Sequence, residues 1–334
     1  MTAFSNNISK SLFFSGYLII VCFSLCCLLS HNAFAVYPER ALRLVVPFAP
    51  GGNIDITART VSPGLTEILG QSVMVDNRGG AGGRIGTEIV AKSLPDGYTL
   101  LLGSSGSLAV NPAFTNKLTY DSLRDFMPTS LITNVPLVLV VHPSLPVRNA
   151  SDFIALVKAK PGQVMMASAG TGSNTHLTGE LFQIISRVKL THVPYKGGGP
   201  AIIDLMSGQT HCIFEQVSTS LAYVRTGKLR PLAVISAKRS HVMPNVPTMA
   251  ESGVNDFEAS TYTGIFLPSA TPKDIVQKVY TALIKVLDLP TTRDSFDRLG
   301  AEVIKSTPEE VTRRLRDDLI KWRNVQKKTG ITLD

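Results

Sequence analysis

The sequence predicts an α/β protein of two doubly wound domains that face each other across a ligand cleft. Three observations lead there. Short β-rich runs alternate with helical periods twice over, from Leu42 to Leu102 and again from Leu137 to Ile235. Such alternation argues for parallel strands covered by helices. The runs end in loops of Gly, Ser, Thr and Asn, at the carboxyl strand ends where open α/β sheets bind ligands. Finally, the chain from Gly264 onward offers one strand and amphipathic helices with no sheet of their own, so it must return to complete the first domain.

The first repeat opens with LRLVVPF (Leu42 to Phe48), a strand ending in the loop Pro50-Gly51-Gly52. Ile54, Ala58, Val61, Leu65 and Ile68 then recur at helical spacing. Pro63 lies inside that period and should kink the helix or end its first half. Gln71 to Asp76 is a second strand, followed by NRGGAGG (Asn77 to Gly83) and a helix carrying Ile85, Ile89 and Val90 up to the turn Pro95-Asp96-Gly97. Tyr98 to Leu102 is the third strand, and Gly103-Ser104-Ser105-Gly106-Ser107 follows it.

In the second repeat Leu137 to Val141 is an apolar strand, and Ser151 caps a helix to about Lys160. Val164 to Ala167 precedes SAGTGSNTH (Ser168 to His176) and a helix to about Arg187. Leu190 to Val193 leads into Tyr195-Lys196-Gly197-Gly198-Gly199-Pro200 and another helix. His211 to Phe214, a further helix and Leu229 to Ile235 close the repeat. Helices at Lys273 to Leu287 and Pro308 to Gln326 should pack on the first domain. The expected division is residues 36–137 with 258–334 for domain 1, and 138–257 for domain 2. Two similar domains crossed twice by the chain describe a cleft that closes on a ligand.

Residues 1–35 stand apart. Lys10 is the only charge before the apolar run Leu12 to Leu29, and Ala33-Phe34-Ala35 offers a small-x-small cleavage site. That reads as a secretory signal peptide cut after Ala35, with an uncleaved anchor as the alternative. Beyond it no apolar run reaches the roughly 20 residues of a membrane span. Cys212 is then the only cysteine, so no intramolecular disulfide can form and the fold must rest on its core. Loss of Lys10 lowers the formal net charge of +8 by one unit. The basic residues are scattered and are not interleaved with aromatics, which fits attraction of small anions and gives no nucleic-acid footprint.

Phosphate and catalytic patterns fail in turn. No G-x-x-x-x-G-K-[ST] occurs. Gly80-Ala81-Gly82-Gly83-Arg84-Ile85-Gly86 has the wrong spacing for a dinucleotide loop, and no acidic residue ends the next strand. Ser107 occupies the last position of Gly103-x-Ser105-x-Ser107, which breaks a nucleophile elbow. His211 and Cys212 are strand neighbours that point to opposite faces. Neither H-E-x-x-H nor a metal-spaced Cys/His cluster is present, so no metal and no cofactor are expected.

What remains are the small-residue loops. Helix N-termini suit a carboxylate because their N–H groups add partial positive charge. Gly51, Gly52, Gly170 and Gly172 let the backbone come close to a ligand, and Ser104, Ser105, Thr171, Ser173 and Asn174 add short hydrogen-bonding side chains. Asp55, in a first helical turn, either caps it or accepts a bond from the ligand, and capping is preferred. His176 is the one histidine placed near a ligand, with capping or packing as an equal alternative.

With these blocks in view, the chain resembles the periplasmic solute-binding receptors of tripartite tricarboxylate transporters, the Bug-type family. The resemblance runs from Tyr37 to about Ile331. It is carried by PFAPGGNIDITAR (47–59), DNRGGAGGRIGTEIVAKSLPDGYTLLLG (76–103), YDSLRDFMP (120–128), SAGTGSNTHLTGELF (168–182) and HVPYKGGGPAIIDLMSGQ (192–209), with GKLRPLAV (227–234), PNVPTMAESG (244–253) and LPSATP (267–272) after them. It implies a Venus-flytrap periplasmic binding protein, monomeric and not an enzyme, that holds a small carboxylate largely through main-chain groups and hands it to membrane transporter subunits. By position, Phe48, Pro50, Gly51, Gly52 and Asp55 would form the first-domain carboxylate loop, flanked by Ser104 and Ser105. Ala169, Gly170, Thr171, Gly172, Ser173 and His176 would face it, with Glu215 also at the ligand. The chain departs from the family pattern at Tyr262-Thr263-Gly264, at Gly79, at Pro63 and at Phe214-Glu215-Gln216. The Tyr262 and Glu215 departures bear on which ligand is taken: a di- or tricarboxylate, an acidic amino acid or an aromatic acid. A secreted enzyme using the same cleft, or an orphan receptor signalling through a partner protein, are the alternatives.

Overall fold

Apolar runs with little alternation make strands that are covered on both faces, and β1 (Leu42–Val46) is such a strand, with Leu42, Leu44, Val45 and Val46 fully buried. The computed structural model describes residues 37–115 and 117–333. The expected signal peptide and its cleavage site lie outside the described residues. From β1 the chain continues through α1 (Asn53–Leu69), β2 (Val73–Asn77), α2 (Arg84–Ala91) and β3 (Thr99–Ser104). A π-helical turn (Gly106–Val110) and the short α3 (Asn111–Phe114) follow, and β4 (Phe126–Val141) leads into the second lobe. There come α4 (Ala150–Ala159), β5 (Met165–Ser168), α5 (Asn174–Ser186), β6 (Thr191–Pro194), α6 (Gly198–Met206), β7 (Cys212–Gln216), α7 (Val217–Arg225) and β8 (Arg230–Val234). β9 (Ser260–Pro268) brings the chain back, and α8 (Lys273–Asp288), α9 (Pro290–Arg298), β10 (Glu302–Val303) and α10 (Pro308–Thr329) complete the first lobe.

Both lobes share one plan. β1 lies between β2 and β3, and β5 lies between β6 and β7, all parallel. The antiparallel strands β9 and β4 extend the first sheet, while β4 and β8 extend the second. β4 therefore belongs to both. It pairs with β9 up to Pro136↔Ser260 and with β7 from Leu137↔Gln216. The return crossing is its neighbour: Leu137 N–H donates to the Ala259 carbonyl, and Ala259 N–H to that of Ile235. Two adjacent strand crossings form a narrow hinge.

The second lobe is held by interlocked aromatic rings. Phe182 stacks obliquely on Phe214 at 5.0 Å and lies 6.0 Å from Phe153 and 5.9 Å from Phe257. A smaller cluster spans the seam between lobes. Val110 and Phe114 of the first lobe meet Leu177 of α5, and Trp322 of α10 packs against them with Ile331 and Leu333.

Some elements depart from expectation. α1 runs unbroken through Pro63. Pro63 is exposed, so the carbonyl its ring displaces can be hydrated, and the adjacent Gly64 lets α8 pack closely through Val286. β4 begins at Phe126, well before Leu137, although Pro128 and Pro136 read as strand breakers. Both sit at irregular or terminal points of its pairing with β9. β9 likewise starts at Ser260, ahead of Gly264, and Asn149, not Ser151, caps α4 by accepting from Asp152 N–H.

Phe182→Ala should destabilise the protein by about 3–5 kcal/mol. Urea unfolding should show a lower midpoint with an unchanged slope.

Candidate functional site

The carboxyl ends of β1, β3 and β5 and the N-termini of α1, α5 and α6 meet at the seam between the lobes. There they enclose a cavity of about 30 Å³, lined by Phe48, Gly52, Asn53, Ile54, Ser104 and Gly106 from the first lobe. Ala169, Ser173, Asn174, Thr175, Gly198, Gln216 and Thr261 complete the wall. None of these side chains is charged. A water needs roughly 10–15 Å³ measured this way, so the cavity as it stands holds water-sized guests, and a larger ligand is enclosed only by a wider closure of the lobes.

Glycine makes the closure this tight. Ala49 N–H donates to the Lys196 carbonyl at 2.9 Å, joining the two loops backbone to backbone. A Cβ on Gly52 would meet Gly198 N at 3.3 Å, and one on Gly197 would meet Ala49 N at 2.8 Å. On Gly199 it would overlap the Pro50 carbonyl oxygen. Side chains join as well: the Ser218 hydroxyl donates to Asn53 Oδ1 at 2.7 Å.

Of the expected site residues, Phe48, Gly52, Ser104, Ala169 and Ser173 line this cavity. The other expected residues support it or lie beside it. Asp55 is turned away from the cavity and locks the loop, accepting from Gly51 N–H (2.9 Å), Asn77 Nδ2 (2.9 Å) and Arg59 Nε (3.0 Å). Burial pushes its carboxyl up, but the bonds from Arg59, Gly51 and Asn77 outweigh this and hold it below the ordinary value. Gly51 supplies the left-handed turn, φ +86°, and with Pro50 it abuts Gly199.

In the facing loop most amides are already used. Ala169 N–H donates to Thr175 Oγ1, Gly170 N–H to Ser168 Oγ, and Gly172 N–H to His176 Nδ1. In this structure the N–H groups of Gly170 and Gly172 thus brace the loop itself. Gly172 packs on Asn111 and Leu333, while the Thr171 carbonyl closes on Gly82. His176 also stacks on His192 at 3.8 Å, and His192 Nε2 lies 2.6 Å from Ser168 Oγ.

Ser105 faces elsewhere. It lines a larger, open groove of about 990 Å³ on the other side of the crossing strands, with Asn134, Tyr262 and Arg314. Strand alternation separates the two hollows, since Thr261 reaches the cavity while Ser260 and Tyr262 reach the groove. The groove is rimmed by charges of both signs, and Arg314 pairs with Asp318 there. The cavity lies where strand ends and helix N-termini point, and it is the candidate site.

Glu215 lies beneath α6, fully buried. Its Oε1 accepts from Gln216 N–H at 3.0 Å, its Oε2 has no partner among the described residues, and Gly198 leaves it room. Burial pushes its carboxyl up to about 7. Cys212 is buried in the second-lobe core, and burial likewise pushes its thiol up.

Asn53, Asn174, Gln216 and Thr261 were the informative side chains that sequence reading left out or left secondary. Asn174 Nδ2 and Gln216 Nε2 both donate to Thr261 Oγ1, at 2.7 and 3.0 Å, tying α5 and β7 to the crossing strand. Asn53 Nδ2 is buried without a partner among the described residues.

Two outcomes follow from this geometry. Gly199→Ala should leave the melting temperature nearly unchanged but hold the lobes apart, read as a larger radius in X-ray scattering than the wild type shows. The Glu215 carboxyl is raised in the folded chain from 4.5, so its stability cost is absent below about pH 4.5 and grows as pH rises through about 7. Glu215→Gln should remove that loss, a gain of at most about 3 kcal/mol at pH ~8 relative to pH ~5. Paired urea titrations of variant and wild type at those pH values check it.

The profile of a family described as the tripartite tricarboxylate transporter family receptor matches residues 57–331. Protein BugT of Bordetella pertussis (strain Tohama I) is 40% identical over 298 residues, covering 89% of this chain and 91% of that protein. Among solved structures, R. palustris Rpa4515 with adipate is 35% identical with a TM-score of 0.85, covering 89% of this chain and 99% of that one. MatC (Rpa3494) from Rhodopseudomonas palustris with bound malate is 32% identical with a TM-score of 0.84, covering 86% and 99%.

Proposed function

Because the chain belongs to the tripartite tricarboxylate transporter receptor family, we propose that this solute-binding receptor captures a small organic carboxylate between its lobes. It then presents the closed complex to membrane transporter subunits. The observation that carries this reading is the convergence of three helix N-termini, those of α1, α5 and α6, on a cavity whose lining has no Lys or Arg. Helix N-termini attract anions by their partial charge, and amides and hydroxyls give the site direction. Binding without a formal cation suits a carrier, which must also release its cargo.

The adipate and malate held by two structural relatives support a carboxylate as the ligand class. The lining contains no acid, thiol or imidazole that could act as a base or nucleophile, which favours carriage over chemistry. The same reading includes a periplasmic, monomeric protein released by cleavage after Ala35. It also includes a division into domain 1 (36–137 with 258–334) and domain 2 (138–257). The strand crossings at Pro136/Leu137 and Ala259/Ser260 support that division.

A ligand that binds only the folded chain adds about 2.7 kcal/mol at a hundredfold excess over Kd. For a chain of this size that raises Tm by roughly 4–5 °C. At least one compound in a panel of di- and tricarboxylates, acidic amino acids and aromatic acids should give such a shift, and its methyl ester none. An equal shift from the neutral ester would overturn the reading.

A further inference from the structure

Asn53 is the first residue of α1, is 3% exposed, and lines the cavity. Its two amide atoms have different fates. Oδ1 accepts from the Ser218 hydroxyl of α7, in the opposite lobe, while Nδ2 is buried and makes no hydrogen bond to any described residue. A buried donor left unpaired is costly, and native structures keep few of them. We infer that Asn53 Nδ2 is the specificity-determining donor of the site and gives its hydrogen bond to a carboxylate oxygen of the ligand. Ser218 is the positioning residue that fixes this amide.

This assignment rests on the carboxylate reading and deepens it. Helix N-termini attract any anion but discriminate weakly between anions, because their charge is diffuse. A side-chain amide adds direction, and its N–H selects an oxygen acceptor against an ammonium or a methyl group. The amide alone could turn to present either atom. In this structure Ser218 donates to Oδ1, which leaves Nδ2 for the guest.

The Ser218 bond also runs between lobes, so it exists only when the cleft is shut. One residue therefore takes part both in holding the ligand and in holding the lobes together. A ligand that engages Nδ2 orients Oδ1 for Ser218, and closure in turn orients Nδ2 for the ligand. Affinity and closure become linked through their shared residue.

Calorimetric titration of the mature chain with malate, adipate and succinate, and with the monoamide of each compound that binds, tests this. Asn53→Asp is nearly isosteric and keeps an acceptor for Ser218, but it turns an anionic oxygen toward the ligand. It should lower affinity more than about 100-fold while Tm of the free protein stays close to wild type. Asn53→Ala should lose about 10- to 100-fold and shrink the preference for carboxylate over monoamide. Ser218→Ala should lose about 3- to 10-fold and reduce that same preference. A structural role for Ser218 alone would lower Tm and leave the preference intact. Wild-type affinity in a folded Asn53→Asp protein overturns the assignment. A wild-type chain that binds none of these three, nor any other member of the carboxylate panel above, overturns the carboxylate reading, and this assignment with it.

Discussion

The contact on which the architecture depends is the approach of one backbone to another across the seam. Ala49 N–H reaches the Lys196 carbonyl directly, and Gly52, Gly197 and Gly199 stand where any side chain would intrude. Two lobes that meet in this way bury amides and carbonyls against each other and leave little room between them. The surrounding elements are arranged to make that approach possible. Asp55 braces the first-lobe loop through three donors, and the His176–Gly172 bond braces the second. Both loops are rigid before they meet, so closing them orders little that was mobile.

The hinge and the seam are complementary parts of one device. β4 spans both sheets, and β9 returns beside it, so bending is confined to a few residues around Pro136 and Ala259. Proline at the crossing donates no ladder hydrogen bond and limits pairing there. Each lobe meanwhile keeps its own core, dominated in the second by Phe153, Phe182, Phe214 and Phe257. Motion at the seam therefore leaves the packing within each lobe intact.

Most of the fold was legible in the sequence because alternating strand and helix periods, with small-residue loops at strand ends, are local signals. The longer strands were not: Pro128 and Pro136 interrupt the apolar pattern of β4, and only long-range pairing with β9 shows that it continues. Of the site, Phe48, Gly52, Ser104, Ala169 and Ser173 were within reach of loop reading. Asn53, Gln216 and Thr261 were not, because each matters through a partner far away in the chain: Ser218 for Asn53, and Thr261 for Gln216. The packing role of the glycines in the facing loop was not legible either. Gly172 allows dense packing on Asn111 and Leu333, and its N–H serves His176.

Trp322 is the only tryptophan of the chain, and it lies at the seam, 6.2 Å from Phe114 and in one cluster with Leu177 of the other lobe. The indole is half-buried at the edge of the open groove, and parting the lobes would take Leu177 out of its cluster and expose more of it to water. The protein thus carries an intrinsic optical probe of its own conformation. The colour of its emission reports how the lobes stand, without any label and without disturbing the cavity on the far side of the hinge strands.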